Sequence, residues 1–175
     1  MPPVQQIRIC CTAGHELPAM NITSLLSPDR VVCCDDIGSK KRLLEELADL
    51  LGSSSQQLPH QDIFDSLLNR EKLGSTGLGK GVALPHGRLA ALQEPVCAFI
   101  KVDPAVDFDA VDDAPVDLVF SLLVPEDSTE EHLQVLSTIA EIFSNQAICD
   151  SLRNCQSDKC LLDLLYQWES QRISA

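Results

Sequence analysis

The stretch Leu73-Gly74-Ser75-Thr76-Gly77-Leu78-Gly79-Lys80-Gly81-Val82-Ala83-Leu84-Pro85-His86-Gly87-Arg88 decides how this chain is read. Gly74, Gly77, Gly79 and Gly81 precede a short apolar run that ends at Pro85 and His86. Glycine N–H groups can face an anion closely, and an imidazole beside them can hold or transfer it. Gly74 to Lys80 fits the spacing G-x-x-x-x-G-K that opens a P-loop, but the hydroxyl that should follow and hold magnesium is replaced by Gly81. The setting is inverted as well, with a helical pattern before the glycines and a strand pattern after them. The dinucleotide fingerprint fails because the third glycine position, counted from Gly77 and Gly79, is Val82. Both nucleotide readings are excluded, leaving an anion pocket beside His86.

Upstream of this stretch, residues 1–18 show no period and read as part of a disordered extension, with the domain opening near Met20. Val31, Val32, Cys33 and Cys34 predict a short strand. Ser39 caps a predicted helix that carries Leu43, Leu44, Leu47, Leu50 and Leu51 at helical spacing. A second helix after Pro59 buries Ile63, Phe64, Leu67 and Leu68, and delivers Arg70 and Glu71 at its end. Downstream, residues 82–84, 96–102 and 118–124 predict strands, the last two apolar throughout and typical of a buried sheet. An acidic connection holding Asp103, Asp107, Asp109, Asp112 and Asp113 reads as a solvated surface loop. Ser128 with Glu131 forms a capping-box pattern for a long helix with Leu133, Leu136, Ile139, Ala140 and Phe143 as its expected apolar stripe. Two further helices, 146–153 and 157–170, complete the pattern, with Tyr166 and Trp168 expected as packing anchors. The prediction is α/β: one compact domain with a mixed sheet of about five strands flanked by helices on both faces.

The totals narrow the function. A length of 175 residues suits one domain with its own core. A net charge of −13 argues against nucleic acid or an anionic membrane surface as partner. No apolar run approaches the roughly 20 residues of a membrane helix, and no signal-type segment opens the chain. The eight cysteines include no C-x-x-C, so they read as small hydrophobes in a reducing cytosol, without a disulfide framework. The four histidines show no metal-ligand spacing, and no metal or cofactor is expected.

His86 follows directly on a strand end, where binding residues project from a rigid scaffold, and can serve as nucleophile, base or ligand near neutral pH. Arg70 ends the helix that leads into the glycines and can bring paired donors to an anion there. Its alternative is a surface ion pair with Asp65 or Glu71. His132 lies in the first turn of the long helix, beside a strand end, and competes with a plain structural role in the core. His15 and His60 are assigned none.

From Arg70 to Gly87 the sequence resembles the signature of the mannitol/fructose-type enzyme IIA domains of the bacterial phosphoenolpyruvate-dependent phosphotransferase system. A second matching stretch is Pro115-Val116-Asp117-Leu118-Val119-Phe120-Ser121-Leu122-Leu123-Val124-Pro125, followed by His132-Leu133-Gln134-Val135-Leu136. The Ser39-Lys40-Lys41-Arg42 helix start and Phe108 to Ala110 are similar to the nitrogen-regulatory branch of that family. The resemblance implies an enzyme IIA domain over residues 20–175, with residues 1–19 an extension. It makes His86 the phospho-acceptor, with Arg70 and His132 as active-site partners, and in that setting Ser75, Thr76 and Gly77 are expected to bind the phosphate as further hydrogen-bond donors. It further implies a histidine phosphocarrier protein as phosphoryl donor, transporters or sensor kinases as regulated partners, and a cytoplasmic location. Two alternatives are a sugar-transport enzyme IIA that passes phosphate to a IIB domain, and a binding module that takes no phosphate.

Overall fold

The computed structural model describes residues 21–53, 58–128 and 130–174. The expectations for residues 1–19 and for the Glu131 side chain fall outside the described residues. A six-stranded mixed sheet forms the centre. Its strands are β1 (Val31–Asp35), β2 (Gly77–Gly79), β3 (Val82–Ala83), β4 (His86–Leu89), β5 (Val96–Val106) and β6 (Val116–Pro125). The helices are α1 (Ile22–Leu25), α2 (Lys40–Gly52), α3 (His60–Lys72), α4 (Glu130–Ser144), α5 (Gln146–Asn154) and α6 (Asp158–Ser174).

The order along the sheet is β1-β5-β6-β3-β2, with β4 also paired to β6. β1 runs parallel to β5, and β5 runs antiparallel to β6. β3 and β4 lie in series along the same edge of β6, both parallel to it. The chain steps between them at Leu84-Pro85, where Pro85 offers no N–H but its carbonyl accepts from Leu122 N–H at 3.1 Å.

Period-2 alternation in the two long strands divides the interior into two cores. Ala98, Ile100 and Val102 of β5, with Val119 and Leu123 of β6, face Leu43, Leu44, Leu47, Ile63, Phe64 and Leu67 of α2 and α3. Cys97 and Phe99, with Leu118, Phe120, Leu122 and Val124, face α1 and α4 to α6 through Ile22, Ile139, Phe143, Leu152 and Leu161. Being covered on both faces is why β5 and β6 read as continuous apolar runs. The Ser39 hydroxyl accepts from Arg42 N–H at 3.2 Å and caps α2 as expected.

Several expectations are corrected. On α4, Leu133 is 66% exposed, and the buried positions are His132, Val135, Ile139, Ile142 and Phe143. Both stripes obey the helical period and differ by a small rotation. Ile139 and Phe143 belong to both, with the Phe143 ring 5.9 Å from Phe99 and 6.1 Å from Phe120, and the helix is turned about them so that His132, Val135 and Ile142 face inward. Tyr166 is exposed, whereas Trp168 packs against the α4–α6 core. Cys155 and Cys160 form a disulfide across the α5–α6 turn, with Cα atoms 5.6 Å apart. Cys97 and Cys149 are buried and free, as small apolar side chains. The acidic connection is partly structural, since Asp109 accepts from Lys40 and Asp112 from the Lys80 N–H.

Candidate functional site

β4 begins at His86, in register with Leu122 of β6. At this point α3 approaches from one face of the sheet and α4 from the other. The His86 Nδ1–H donates to the Leu84 carbonyl at 2.7 Å, two residues back along the chain. A carbonyl only accepts, so this bond fixes the tautomer and leaves the lone pair on Nε2. Arg70, in the last turn of α3, donates from Nε to His86 Nε2 at 3.0 Å. Its Nη1 donates to the Gly74 carbonyl at 3.1 Å, so the guanidinium bridges the imidazole and the turn after the helix. Arg70 therefore makes neither of the surface ion pairs open to it.

His132 lies 5.7 Å from His86, ring centre to ring centre, and is 7% exposed. Its Nδ1 is buried without a hydrogen-bond partner among the described residues. Burial holds the His86 pKa below the ordinary 6.5, the Arg70 charge adds to the depression, and the Leu84 carbonyl opposes it. The His132 pKa is also lowered, by burial first, then by His86 and Arg88. Both rings are held toward the neutral form, and His86 presents an unprotonated Nε2 to an open cleft of about 770 Å³.

The cleft is lined by Asp62, Asp65, Ser66, Asn69, Arg70 and Leu73 of α3 and the residue after it, by His86, Gly87 and Arg88 of β4, and by His132. The structure thus unites Arg70, His86 and His132. Ser75, Thr76 and Gly77 do not line this cleft, and their donors are engaged elsewhere. Ser75 Oγ donates to the Phe108 carbonyl at 2.9 Å and accepts from Gly77 N–H. Thr76 donates from N–H and from Oγ1 to the buried Glu71 carboxylate. The same carboxylate pairs with Lys40 Nζ at 2.8 Å.

Gly77 and Gly81 serve close packing rather than an anion cradle. A Cβ on Gly77 would stand 2.7 Å from Ala110 Cβ. A Cβ on Gly81, at φ +79°, would stand 2.6 Å from Arg153 Nη2 and 2.7 Å from Asp117 Oδ1. Arg153 in turn clamps the hairpin tip by donating to Asp117 and to the Lys80 carbonyl.

Sequence reasoning missed Ser66, Asn69, Arg88 and the Leu84 carbonyl. Ser66 was within reach of a spacing argument, since it lies four residues before Arg70 on the same helix face. The Leu84 carbonyl carries no side-chain signal. Among the described residues no group of three His, Cys, Asp or Glu is placed to hold a metal ion.

Residues 24–168 match the family model described as "Phosphoenolpyruvate-dependent sugar phosphotransferase system, EIIA 2". A nitrogen regulatory protein of Pseudomonas aeruginosa is 44% identical over 146 residues, spanning 83% of this chain and 95% of the relative. The crystal structure of nitrogen regulatory protein IIA-Ntr from Neisseria meningitidis superposes with a TM-score of 0.76 at 48% identity, covering 82% of this chain and 98% of that one. IIA mannitol from Escherichia coli shares the fold, with a TM-score of 0.63 at 22% identity over 80% of this chain and 98% of the other.

Proposed function

Because the chain belongs to the EIIA 2 family of the phosphoenolpyruvate-dependent sugar phosphotransferase system, we propose that it is a phosphohistidine relay protein of the nitrogen-regulatory kind. It accepts a phosphoryl group on His86 from a histidine phosphocarrier protein, and its phosphorylation state regulates transporter or sensor-kinase partners in the cytoplasm. The enzyme IIA unit runs over residues 20–175. The observation that carries the reading is the Nδ1–H bond to the Leu84 carbonyl, which leaves a neutral, outward-facing Nε2 in an open cleft beside Arg70.

The chemistry follows from that arrangement. The Nε2 electron pair forms the new P–N bond while the donor's P–N bond breaks and its electron pair returns to the donor imidazole. The ring gains positive charge as it attacks, and the Leu84 carbonyl on Nδ1–H stabilises that charge. Arg70 shifts from Nε2 onto the phosphoryl oxygens, supplying fixed positive charge where the transition state spreads negative charge. His132, a ring away, donates a hydrogen bond to the same group. Bond broken and bond formed are both phosphoramidates of imidazole, so the transfer is close to isoenergetic and reversible.

The test is to incubate the protein with phosphoenolpyruvate, enzyme I and the phosphocarrier. The wild type is expected to carry acid-labile phosphate and His86→Ala none. Equal labelling of the two would exclude His86 as acceptor. Adding an isolated IIB domain with its cysteine then separates regulation from transport, since efficient onward transfer favours the transport reading.

A further inference from the structure

Helix α3 and strand β4 are laced together one helical turn before Arg70. Ser66 Oγ donates to the Arg88 carbonyl at 2.9 Å and accepts from the Arg88 N–H at 3.0 Å, so one hydroxyl satisfies both backbone groups of a single strand residue. Such closeness between a helix and a strand requires a missing side chain, and Gly87 supplies it. A Cβ there would stand 2.3 Å from Ser66 Oγ, 3.2 Å from Ser66 Cβ and 3.3 Å from the Ser66 carbonyl carbon. Real Cβ atoms essentially never come within 2.3 Å, so the Ser66 hydroxyl would have to leave its place between the Arg88 backbone groups, and the helix behind it would have to give by a few tenths of an ångström.

The lacing closes a small ring. From Ser66 the helix runs one turn to Arg70, on the same helix face. Arg70 crosses to His86, and two residues of strand return through Gly87 to Arg88 and the Ser66 hydroxyl. His86 and Arg88 point to one side of β4 and Gly87 to the other, which turns the bare glycine toward α3. Arg70 meets the imidazole with Nε, the nitrogen nearest its stem, rather than with the tips of the guanidinium. That contact needs a short distance between helix and strand.

We propose that Ser66 and Gly87 are a positioning pair for the transfer. By fixing the distance between α3 and β4 they set the Arg70 guanidinium on His86 Nε2, where it orients the imidazole and stands ready for the incoming phosphoryl group. The proposal rests on the reading that His86 takes the phosphoryl group. Neither residue touches the reacting atoms.

The experiment compares wild type, Ser66→Ala, Ser66→Thr and Gly87→Ala, and the double variant Ser66→Ala/Gly87→Ala, with two readouts. Nitrogen NMR follows the titration of His86, in a cleft that also holds Asp62, Asp65, Arg70, Arg88 and His132. Transfer kinetics from the phosphocarrier separate kcat from KM. Ser66→Ala is expected to remain folded, to move the His86 midpoint up toward that of a free imidazole, and to lower kcat roughly tenfold or more with little change in KM. Ser66→Thr keeps the hydroxyl and is expected to restore both. Gly87→Ala is expected to be impaired more than Ser66→Ala, and the double variant less than the two effects summed, because removing the hydroxyl removes the nearest clash.

An Ser66→Ala protein with the His86 titration and kcat of the wild type overturns the proposal. Should Ser66→Ala not fold, an unshifted His86 titration in Gly87→Ala overturns it equally. Failure of the wild type to be labelled on His86 would overturn the phosphohistidine reading, while the NMR readout still decides whether the pair positions Arg70.

Discussion

His86 is prepared by two neighbours that act on different nitrogens. Leu84 holds the proton on Nδ1, and burial with Arg70 keeps Nε2 unprotonated below the ordinary pKa of 6.5. In the proposed transfer the neutral ring is the nucleophile, so the rate of phosphoryl acceptance is expected to hold down to mildly acidic pH and to fall with a midpoint below 6.5. Labelling rates across pH check this, and a midpoint above that value contradicts it. The same shift has a sign for stability. From 6.5 downward the unfolded imidazoles take up protons before the folded His86 and His132 do, so protonation favours the unfolded chain and stability falls as pH drops through that window. Urea midpoints measured at neutral and at mildly acidic pH should separate less in His86→Ala than in the wild type. Arg70→Lys keeps the charge but loses the planar donor that meets Nε2, and transfer is expected to slow by roughly a hundredfold in single-turnover assays. Arg70, His86 and His132 were legible because each side chain announces its chemistry at an element end. That the donors of Ser75, Thr76 and Gly77 go to Phe108, Glu71 and the Ser75 hydroxyl was not legible, because those partners are set by tertiary packing.

The end of α3 depends on an acid that the proposed transfer does not use. Glu71, 7% exposed, accepts from Thr76 and pairs with Lys40, and so ties the helix end to the glycine turn and to α2. Glu71→Gln leaves the Lys40 ammonium without its closest counter-charge. Because Lys40 keeps 22% exposure, the expected loss is roughly 2–3 kcal/mol in denaturant unfolding, between the values of exposed and enclosed pairs. At the hairpin tip, Gly81→Ala meets Arg153 and Asp117 at a positive φ and is expected to cost about 1–3 kcal/mol by the same measurement. The elements with long periods, α2, α3, β5 and β6, were readable from sequence because many residues vote on one pattern. β2 and β4 were not, since strands of three and four residues rich in glycine and charge carry no period and exist only by pairing with β3 and β6. The rotation of α4 was equally hidden. Leu133 and Val135 are both apolar, and both stripes share Ile139 and Phe143, so the helical period alone does not select between them.

Across the whole molecule, the sheet with helices on both faces was legible from alternating strand and helix patterns, whereas the Cys155–Cys160 bridge was not. A spacing of five residues does not choose among eight cysteines until the α5–α6 turn brings two of them to a Cα distance of 5.6 Å. By the chain-entropy argument so short a loop is worth about 2 kcal/mol, and reduction is expected to lower Tm by about 4–8 °C in calorimetry. Both cores reach His86, yet through separate intermediaries. The α2–α3 core holds Arg70, and the α4–α6 core holds His132. Because Arg70 and His132 meet at the same imidazole, repacking substitutions made one in each core should shift the His86 titration non-additively in a double-mutant cycle. The sheet works as a partition between two half-sites that meet at the His86 ring.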